Sequence, residues 1–308
     1  MLKPILALAL ALTIPGMIGL SQSKRPQAEL VALVEAERNF SRTCVAKGLR
    51  VSFMEFFADD GIRFLPHPVN ALENFRQSPA PPGPQSFTLS WEPVFADVSQ
   101  AGDLGFTTGP YVVTDNAKKN PSGYGYYFSI WQKQHDGSWK VLLDYGTAAP
   151  APASPGRPPS FKPASSTGWH RNEANAGNDN ATVLAELDRQ TAALSGSQGI
   201  TATFRRFLIS DARFHRGGMM PLEGQSSILD FLDQQQWTGV QFEPVASGLA
   251  QSADLGYSYG KYSLQRKNAA GALEKGYYVR VWKRDERGQW KIAMDVANAL
   301  PPETPAKP

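Results

Sequence analysis

The sequence predicts an α+β protein of two like domains in tandem, and two observations carry that prediction. The first is an internal repeat. Residues 91–144 align onto 242–295 at a constant offset of 151 with no gap, so that Glu92-Pro93-Val94 falls on Glu243-Pro244-Val245 and Gly125-Tyr126-Tyr127 on Gly276-Tyr277-Tyr278. In the same register Trp131, Trp139 and Asp144 meet Trp282, Trp290 and Asp295, and further upstream Glu35, Arg38, Phe53, Phe56 and Asp60 meet Glu186, Arg189, Phe204, Phe207 and Asp211. The repeated unit is roughly 115 residues, the size of a domain and too long for a solenoid repeat of ~20–50 residues. The second observation is the order inside each unit: helical periodicity comes first and aromatic and β-branched runs follow. That order places the helices on one face of a curved antiparallel sheet.

Residues 1–23 carry one positive charge, Lys3, an apolar run from Ile5 to Leu12, and then small or polar residues at Gly19, Ser21 and Ser23. This is the layout of a signal peptide cleaved after Ser21 or Ser23, and the run is shorter than the ~20 apolar residues of a membrane span. The chain is therefore expected to be exported, periplasmic or secreted, with no stable membrane anchor. Removal of Lys3 takes the formal charge from +3 to +2, a near-neutral balance that argues against a nucleic-acid partner. The single cysteine, Cys44, has no partner for an internal disulfide, so each domain must be held by its core.

Domain 1, residues 28–146, opens with an amphipathic helix on Leu30, Leu33, Val34, Phe40 and Cys44; in domain 2, residues 181–300, the matching stripe is Leu184, Leu187, Thr191 and Leu194. Phe53, Phe56 and Phe57, matched by Phe204, Phe207 and Leu208, predict a second short helix that ends at Asp59-Asp60-Gly61 or at Ser210-Asp211. A third is expected over Ala71 to Arg76 and over Ser226 to Phe231. Trp91 to Ala96, Leu104 to Thr114, Tyr124 to Lys133 and Trp139 to Asp144 read as strands, with a hairpin turn at His135-Asp136-Gly137. Residues 147–180, rich in Pro, Ala, Ser, Gly and Asn, read as a linker, and the proline-rich tail 301–308 is not expected to fold.

The helix end "FFADDG" at Phe56 to Gly61, the strand "DLGFTTGPY" at Asp103 to Tyr111 and the hairpin "YYFSIWQKQHDGSWKVLLDYG" at Tyr126 to Gly146 resemble SnoaL-like domains. These belong to the ketosteroid isomerase-like, nuclear transport factor 2-like superfamily. The resemblance spans both repeats and implies two cone-shaped α+β barrels, each enclosing one pocket. It implies no single function, because such a scaffold hosts isomerases, cyclases, dehydratases and interaction modules. Family isomerases place a carboxylate base just after the helix end. Here that position holds Leu65 or, with two residues inserted, His67, and the repeat offers His215; neither repeat is expected to be a ketosteroid isomerase.

The candidate catalytic residues are therefore His67, His215, Asp144 and Asp295. Each histidine is either a general base in the pocket or a loop residue satisfied by solvent or backbone. Each aspartate ends its last strand, where it either faces a polar ligand group or caps the neighbouring turn. Tyr111, Tyr127, Tyr262, Tyr278 and Arg280 are candidate ligand-binding residues, open to the alternative that the tyrosines simply fill the barrel. No His, Asp or Glu pair has metal-ligand spacing and no nucleotide-binding glycine loop is present, so neither metal nor cofactor is expected. The reading is a protein that binds a small, partly apolar molecule in one or both pockets. The alternatives are a lyase, isomerase or hydrolase that uses the pocket His and Asp, and a non-catalytic interaction module. Its tandem domains are expected to pair within one chain, as a monomeric pseudo-dimer.

Overall fold

The computed structural model describes residues 24–78, 80, 85–153, 159, 161, 180–266 and 273–301. The signal-peptide reading, most of the linker reading and most of the tail lie outside them. Domain 1 runs α1 (Lys24–Lys47), α2 (Leu49–Phe56), β1 (Phe57–Phe64), β2 (Pro68–Asn70), α3 (Ala71–Gln77), β3 (Phe87–Trp91), β4 (Phe95–Val98), β5 (Leu104–Asp115), β6 (Asn120–Lys133), β7 (Trp139–Asp144) and β8 (Thr147–Ala148). Domain 2 repeats the order as α4 (Thr182–Gln198), α5 (Ile200–Phe207), β9 (Leu208–Arg216), β10 (Leu222–Glu223), α6 (Gln225–Gln235), β11 (Trp237–Leu249), β12 (Leu255–Arg266), β13 (Leu273–Arg284) and β14 (Trp290–Ala299). The α+β class holds in both halves.

Local chemistry explains the element ends. Gly48 and Gly199, at the same place in the repeat, turn the chain between the first two helices at φ 89° and 86°, a region that a Cβ disfavours. Asn70 caps α3 by accepting from the Glu73 amide at 2.8 Å. Two expectations are corrected. Asp59-Asp60-Gly61 and Ser210-Asp211 do not end a helix in a turn; they lie inside β1 and β9, where the register against β7 and β14 shifts. The bulge lets Asp59, Asp60 and Asp211 face solvent while the strand continues. Likewise, Thr147 and Ala148, read as linker, add a short strand to β6, and Phe161 packs against the domain 1 core.

The sheets run β2-β1-β7-β6-β5-β3, with β4 on β5 and β8 on β6, and β10-β9-β14-β13-β12-β11. They are mixed rather than wholly antiparallel, since β1–β7 and β9–β14 pair in parallel, and they are curved but not closed. In domain 2 the single strand β11 replaces β3 and β4, with a register shift between Pro244 and Ala246 taking the place of the break at Glu92-Pro93-Val94.

Each sheet is buried on both faces. Its inner face packs on the helices, through Leu33, Phe40, Phe56, Tyr127 and Trp131 in domain 1 and Leu184, Phe204, Tyr278 and Trp282 in domain 2. The outer faces pack on each other in a third core that joins Phe106, Phe128, Ile130 and Leu143 to Tyr259, Tyr277, Val279 and Met294. This contact is reciprocal. The Gln100 amide donates to Asp254 Oδ2 at 3.0 Å and the Gln251 amide to Asp103 Oδ2 at 2.9 Å, partners that exchange under the 151-residue offset, as in an isologous dimer. The Lys283–Asp97 ion pair at 2.8 Å has no such counterpart. Among the described residues no helix is long and apolar enough to cross a membrane.

Candidate functional site

The parallel strand β1 and the ends of β5, β6 and β7 meet over α1 and α2 in domain 1, around a cavity of about 260 Å³. Its walls are Phe40, Leu49, Phe53, Phe64, Phe87, Leu89, Trp91 and Val113, and its polar groups come from Arg63, Tyr111, Tyr127, Asp144 and the backbone at Gly146. A cavity of ~150 Å³ already admits benzene, so there is room here for a substituted ring. Gly125 keeps the wall open: a Cβ there would stand 2.3 Å from the Tyr111 ring, and Gly276 makes the same allowance for Tyr262 at 2.5 Å.

The polar groups have unspent capacity. Asp144 accepts from Ser129 Oγ at 2.9 Å through one oxygen only. Burial lifts its carboxyl to about 6, against the opposing pull of the Ser129 bond and the Arg63 charge. The Tyr127 hydroxyl is buried and makes no hydrogen bond; Thr107 is near enough to ease its ionisation slightly, but burial and then Glu37 hold it well above the usual phenol range. Arg63 stacks on Phe75 and Phe53, with its guanidinium carbon 4.6 and 5.5 Å from the ring centres.

One layer behind the wall lies Glu37, fully buried on α1. It accepts from Trp91 Nε1 at 2.5 Å, Trp131 Nε1 at 2.8 Å and Thr107 Oγ1 at 2.5 Å. Three donors favour the carboxylate, yet burial outweighs them and raises its pKa to about 7.

Domain 2 has the same place and fills it. The residual hole, about 10 Å³, is lined by Ile200, Phe204, Phe242, Tyr262, Leu264, Tyr278, Asp295 and Ala297, with Arg216 and Trp237; the first eight are the repeat partners of cavity residues in domain 1. Arg280, fully buried, lies beside these rings, with its guanidinium carbon 4.5 Å from the centre of Phe242. Its Nε donates to Asp295 Oδ2 at 2.8 Å and its Nη1 to Asp188 Oδ1 at 2.7 Å. Tyr278 donates to Asp188 at 2.8 Å and Arg216 to Asp295 at 2.6 Å. Burial pushes Asp295 upward, but Arg216 and Arg280 hold it below the usual carboxylate range; Asp188, where burial outweighs Arg280, stays raised.

Of the residues picked from sequence, Asp144, Tyr111 and Tyr127 line the open cavity, while Tyr262, Tyr278 and Asp295 line the closed one. Arg280 is locked in ion pairs. The histidines are elsewhere. His67 is exposed and its Nδ1 lies 3.0 Å from the Tyr277 hydroxyl of the other domain. His215 is buried against Tyr126, at 5.6 Å between rings, and burial with Arg213 and Arg216 drives its pKa to about 3. The loop between β1 and β2 that carries His67 lies against domain 2. Glu37, Arg63, Asp188 and Arg216 were not singled out. Glu37 carried a signal, because it sits in the Leu30, Leu33, Val34, Phe40 stripe, where a lone acid recurs 151 residues later as Asp188. Among the described residues no group of three or more His, Cys, Asp or Glu side chains is placed to hold a metal ion.

No protein-family model matches the sequence, and no curated protein matches it. Solved structures do. An NTF-2 like protein of unknown function from Shewanella oneidensis MR-1 is 13% identical, with a TM-score of 0.32 over 38% of this chain and 95% of its own. A ketosteroid isomerase-like protein from Erwinia carotovora atroseptica SCRI1043 is 15% identical, with a TM-score of 0.33 over 41% of this chain and 99% of its own. An NTF2-like protein with a cystatin-like fold from Novosphingobium aromaticivorans is 16% identical, with a TM-score of 0.29 over 42% and 96%. Helices first, then a mixed curved sheet whose first strand runs parallel to its last, is an order the chain follows twice: it is built of two like α+β domains in tandem, and the solved structures it is similar to are nuclear transport factor 2-like and ketosteroid isomerase-like proteins.

Proposed function

We propose that the chain binds a small, partly apolar molecule, and that it does so in domain 1. One observation carries the reading: the same set of residues surrounds about 260 Å³ in domain 1 and about 10 Å³ in domain 2. An apolar cavity with a few convergent polar groups is the form that small-molecule sites take. Native mass spectrometry of the purified protein should show an adduct that is released on denaturation. Leu89→Trp and Val113→Trp, each adding an indole to the cavity wall, should lose it. If the wild-type protein carries no adduct, and no compound in a panel of small aromatics raises its melting temperature, the reading fails.

A catalytic reading has one observation in its favour, the Asp144 carboxyl at about 6 inside the cavity, a value suited to proton transfer near neutral pH. It calls for Asp144 to work without either histidine. Turnover of any carbonyl or ester substrate that Asp144→Asn abolishes would establish it. Export, by way of residues 1–23, and a monomeric state in which the two domains pair only with each other complete the proposal. Intact mass of the mature chain tests the first, and light scattering at the mass of one chain tests the second.

A further inference from the structure

Ser129 and Arg280 occupy one position in the two domains, as both the repeat and the strand register show: Ser129 pairs with Thr107 and Asp144, Arg280 with Ser258 and Asp295. At this position domain 1 lacks the arginine side chain that domain 2 has. Around Arg280 the guanidinium carbon lies 5.6 Å from the centre of Phe204, 4.5 Å from Phe242 and 5.2 Å from Tyr278. The counterparts of these rings, Phe53, Trp91 and Tyr127, line the domain 1 cavity. Both acids that neutralise Arg280 also have counterparts, Asp144 in the cavity and Glu37 behind it.

Charge shows the same omission. In domain 2 two buried acids, Asp188 and Asp295, face two arginines, Arg216 and Arg280. In domain 1 Asp144 faces Arg63, at the distance of a Coulomb interaction rather than an ion pair, and Glu37 meets the neutral donors Trp91, Trp131 and Thr107. One cation is missing. The Tyr127 hydroxyl is left without a partner in the buried wall, where Tyr278 has one. The raised carboxyl of Asp144, against the lowered one of Asp295, agrees with a counter-charge that is not supplied.

We infer that the domain 1 cavity takes a small organic cation, an ammonium or guanidinium on an apolar body, held against the rings whose counterparts surround the Arg280 guanidinium in domain 2. Its charge rests between Asp144 and the faces of Phe53, Trp91 and Tyr127, an arrangement in which ring quadrupoles and a carboxylate attract the same group. This rests on the reading that domain 1 binds a small molecule and names the ligand's charge.

Three probes of one shape and different charge separate the possibilities: benzylammonium, benzyl alcohol and benzoate, titrated calorimetrically into the full chain. Benzylammonium should bind roughly tenfold more tightly than benzyl alcohol, and benzoate should bind weakest. Asp144→Asn should erase the preference for the cation while benzyl alcohol still binds. Ser129→Arg, which installs the domain 2 residue, should abolish binding of all three and raise the melting temperature. If benzyl alcohol or benzoate binds as well as benzylammonium, or if the cation preference survives in Asp144→Asn, the charge assignment is overturned and the small-molecule reading stands. If none of the three binds the wild-type chain, the charge assignment is overturned; the small-molecule reading falls with it if the purified protein also carries no adduct and no panel compound raises its melting temperature.

Discussion

The inner faces of the two domains are near copies that differ in how they handle buried acid. Domain 2 surrounds Asp188 and Asp295 with Arg216 and Arg280 and closes its core over the ion pairs. Domain 1 keeps both acid positions, as Glu37 and Asp144, but has Ser129 at the central position, and a cavity remains. Asp295, between Arg216 and Arg280, is held below the usual carboxylate range, whereas its counterpart Asp144 is lifted by burial to about 6; Asp188 and Glu37, deeper in each core, are both raised by burial. A few substitutions at matched positions, Ser129 for Arg280 and Arg63 for Phe214 among them, therefore separate a filled structural core from a pocket, on one scaffold and in one chain. Fold alone says nothing of which domain has which role.

The strongest way to break this comparison is Arg280→Ser, which gives domain 2 the residue of domain 1. It takes the guanidinium from Asp188, which keeps the Tyr278 hydroxyl, and from Asp295, which keeps Arg216, in a buried space, and removing one partner of a buried ion pair costs about 3–5 kcal/mol. Urea unfolding should show a loss of that order. A loss below about 1 kcal/mol would mean that the acids find other neutralisation and that Arg280 is not what closes the domain.

A second test uses proton linkage, because two buried groups, Glu37 in domain 1 and His215 in domain 2, respond to pH in opposite senses. Glu37 titrates at about 7 in the folded chain against 4.5 in its ordinary state, so the folded form holds the extra proton and stability falls as pH rises from about 4.5 to 7. At ~1.4 kcal/mol per pH unit the whole effect is about 3 kcal/mol. His215 titrates at about 3 against 6.5; the unfolded form holds the extra proton, and stability rises as pH rises from about 3 to 6.5. Between pH 4.5 and 6.5 the two slopes oppose each other. Glu37→Gln should therefore tilt the stability curve upward with pH, and His215→Phe, which supplies the residue found at Phe64, should tilt it downward. Melting temperatures at pH 5 and pH 6.5 measure both, and two tilts of the same sign would refute the opposition.

Much of this architecture was legible in the sequence. The repeat offset survives as strand register, because a one-residue slip would turn every side chain to the wrong face. The strand Tyr126 to Trp131 was readable as two alternating faces, but both proved to be core: Tyr127 and Trp131 meet the helices, while Phe128 and Ile130 meet the other domain. Sequence periodicity cannot say what covers a face. The parallel pairs β1–β7 and β9–β14 were missed because Asp59-Asp60-Gly61 has the composition of a turn, and only the bulge it forms in three dimensions keeps it in the sheet. The pocket was half legible. Asp144, Tyr111 and Tyr127 stand out by repetition, whereas Arg63 aligns with Phe214 and Ser129 with Arg280, so the differences that make the site are invisible to a search for identities.

The reciprocal interface offers a smaller effect. Asp103 and Asp254 accept each other's domain through backbone amides, but Asp254 is buried at 4% exposure and also binds Ser252, while Asp103 is half-buried. A buried hydrogen bond to a charged group contributes about 1.5–3 kcal/mol, and exposure weakens it. Asp254→Asn should cost about 2 kcal/mol and Asp103→Asn about 1 kcal/mol in urea unfolding. Equal costs would mean that the symmetry is energetic as well as geometric; a reversed order would mean that burial does not rank the two.

The smallest effect belongs to His67, and it separates the catalytic reading made from the loop from the binding reading made from the cavity. His67 follows β1 by three residues, so its backbone is tied to Arg63 and Phe64, which do line the cavity. Its side chain is not: it is exposed and points across the domain boundary to the Tyr277 hydroxyl at 3.0 Å, with the rings edge to face at 5.5 Å. Phe64 holds that boundary without help, stacked on Tyr145 at 4.1 Å and set against Tyr259 at 6.0 Å. An exposed hydrogen bond beside such a contact is worth little. His67→Ala should shift stability by no more than about 0.5 kcal/mol and leave benzylammonium affinity unchanged, whereas Phe64→Ala should weaken both. A His67→Ala chain that folds normally but loses ligand would put the imidazole in the cavity, and with it the general base that the sequence allowed.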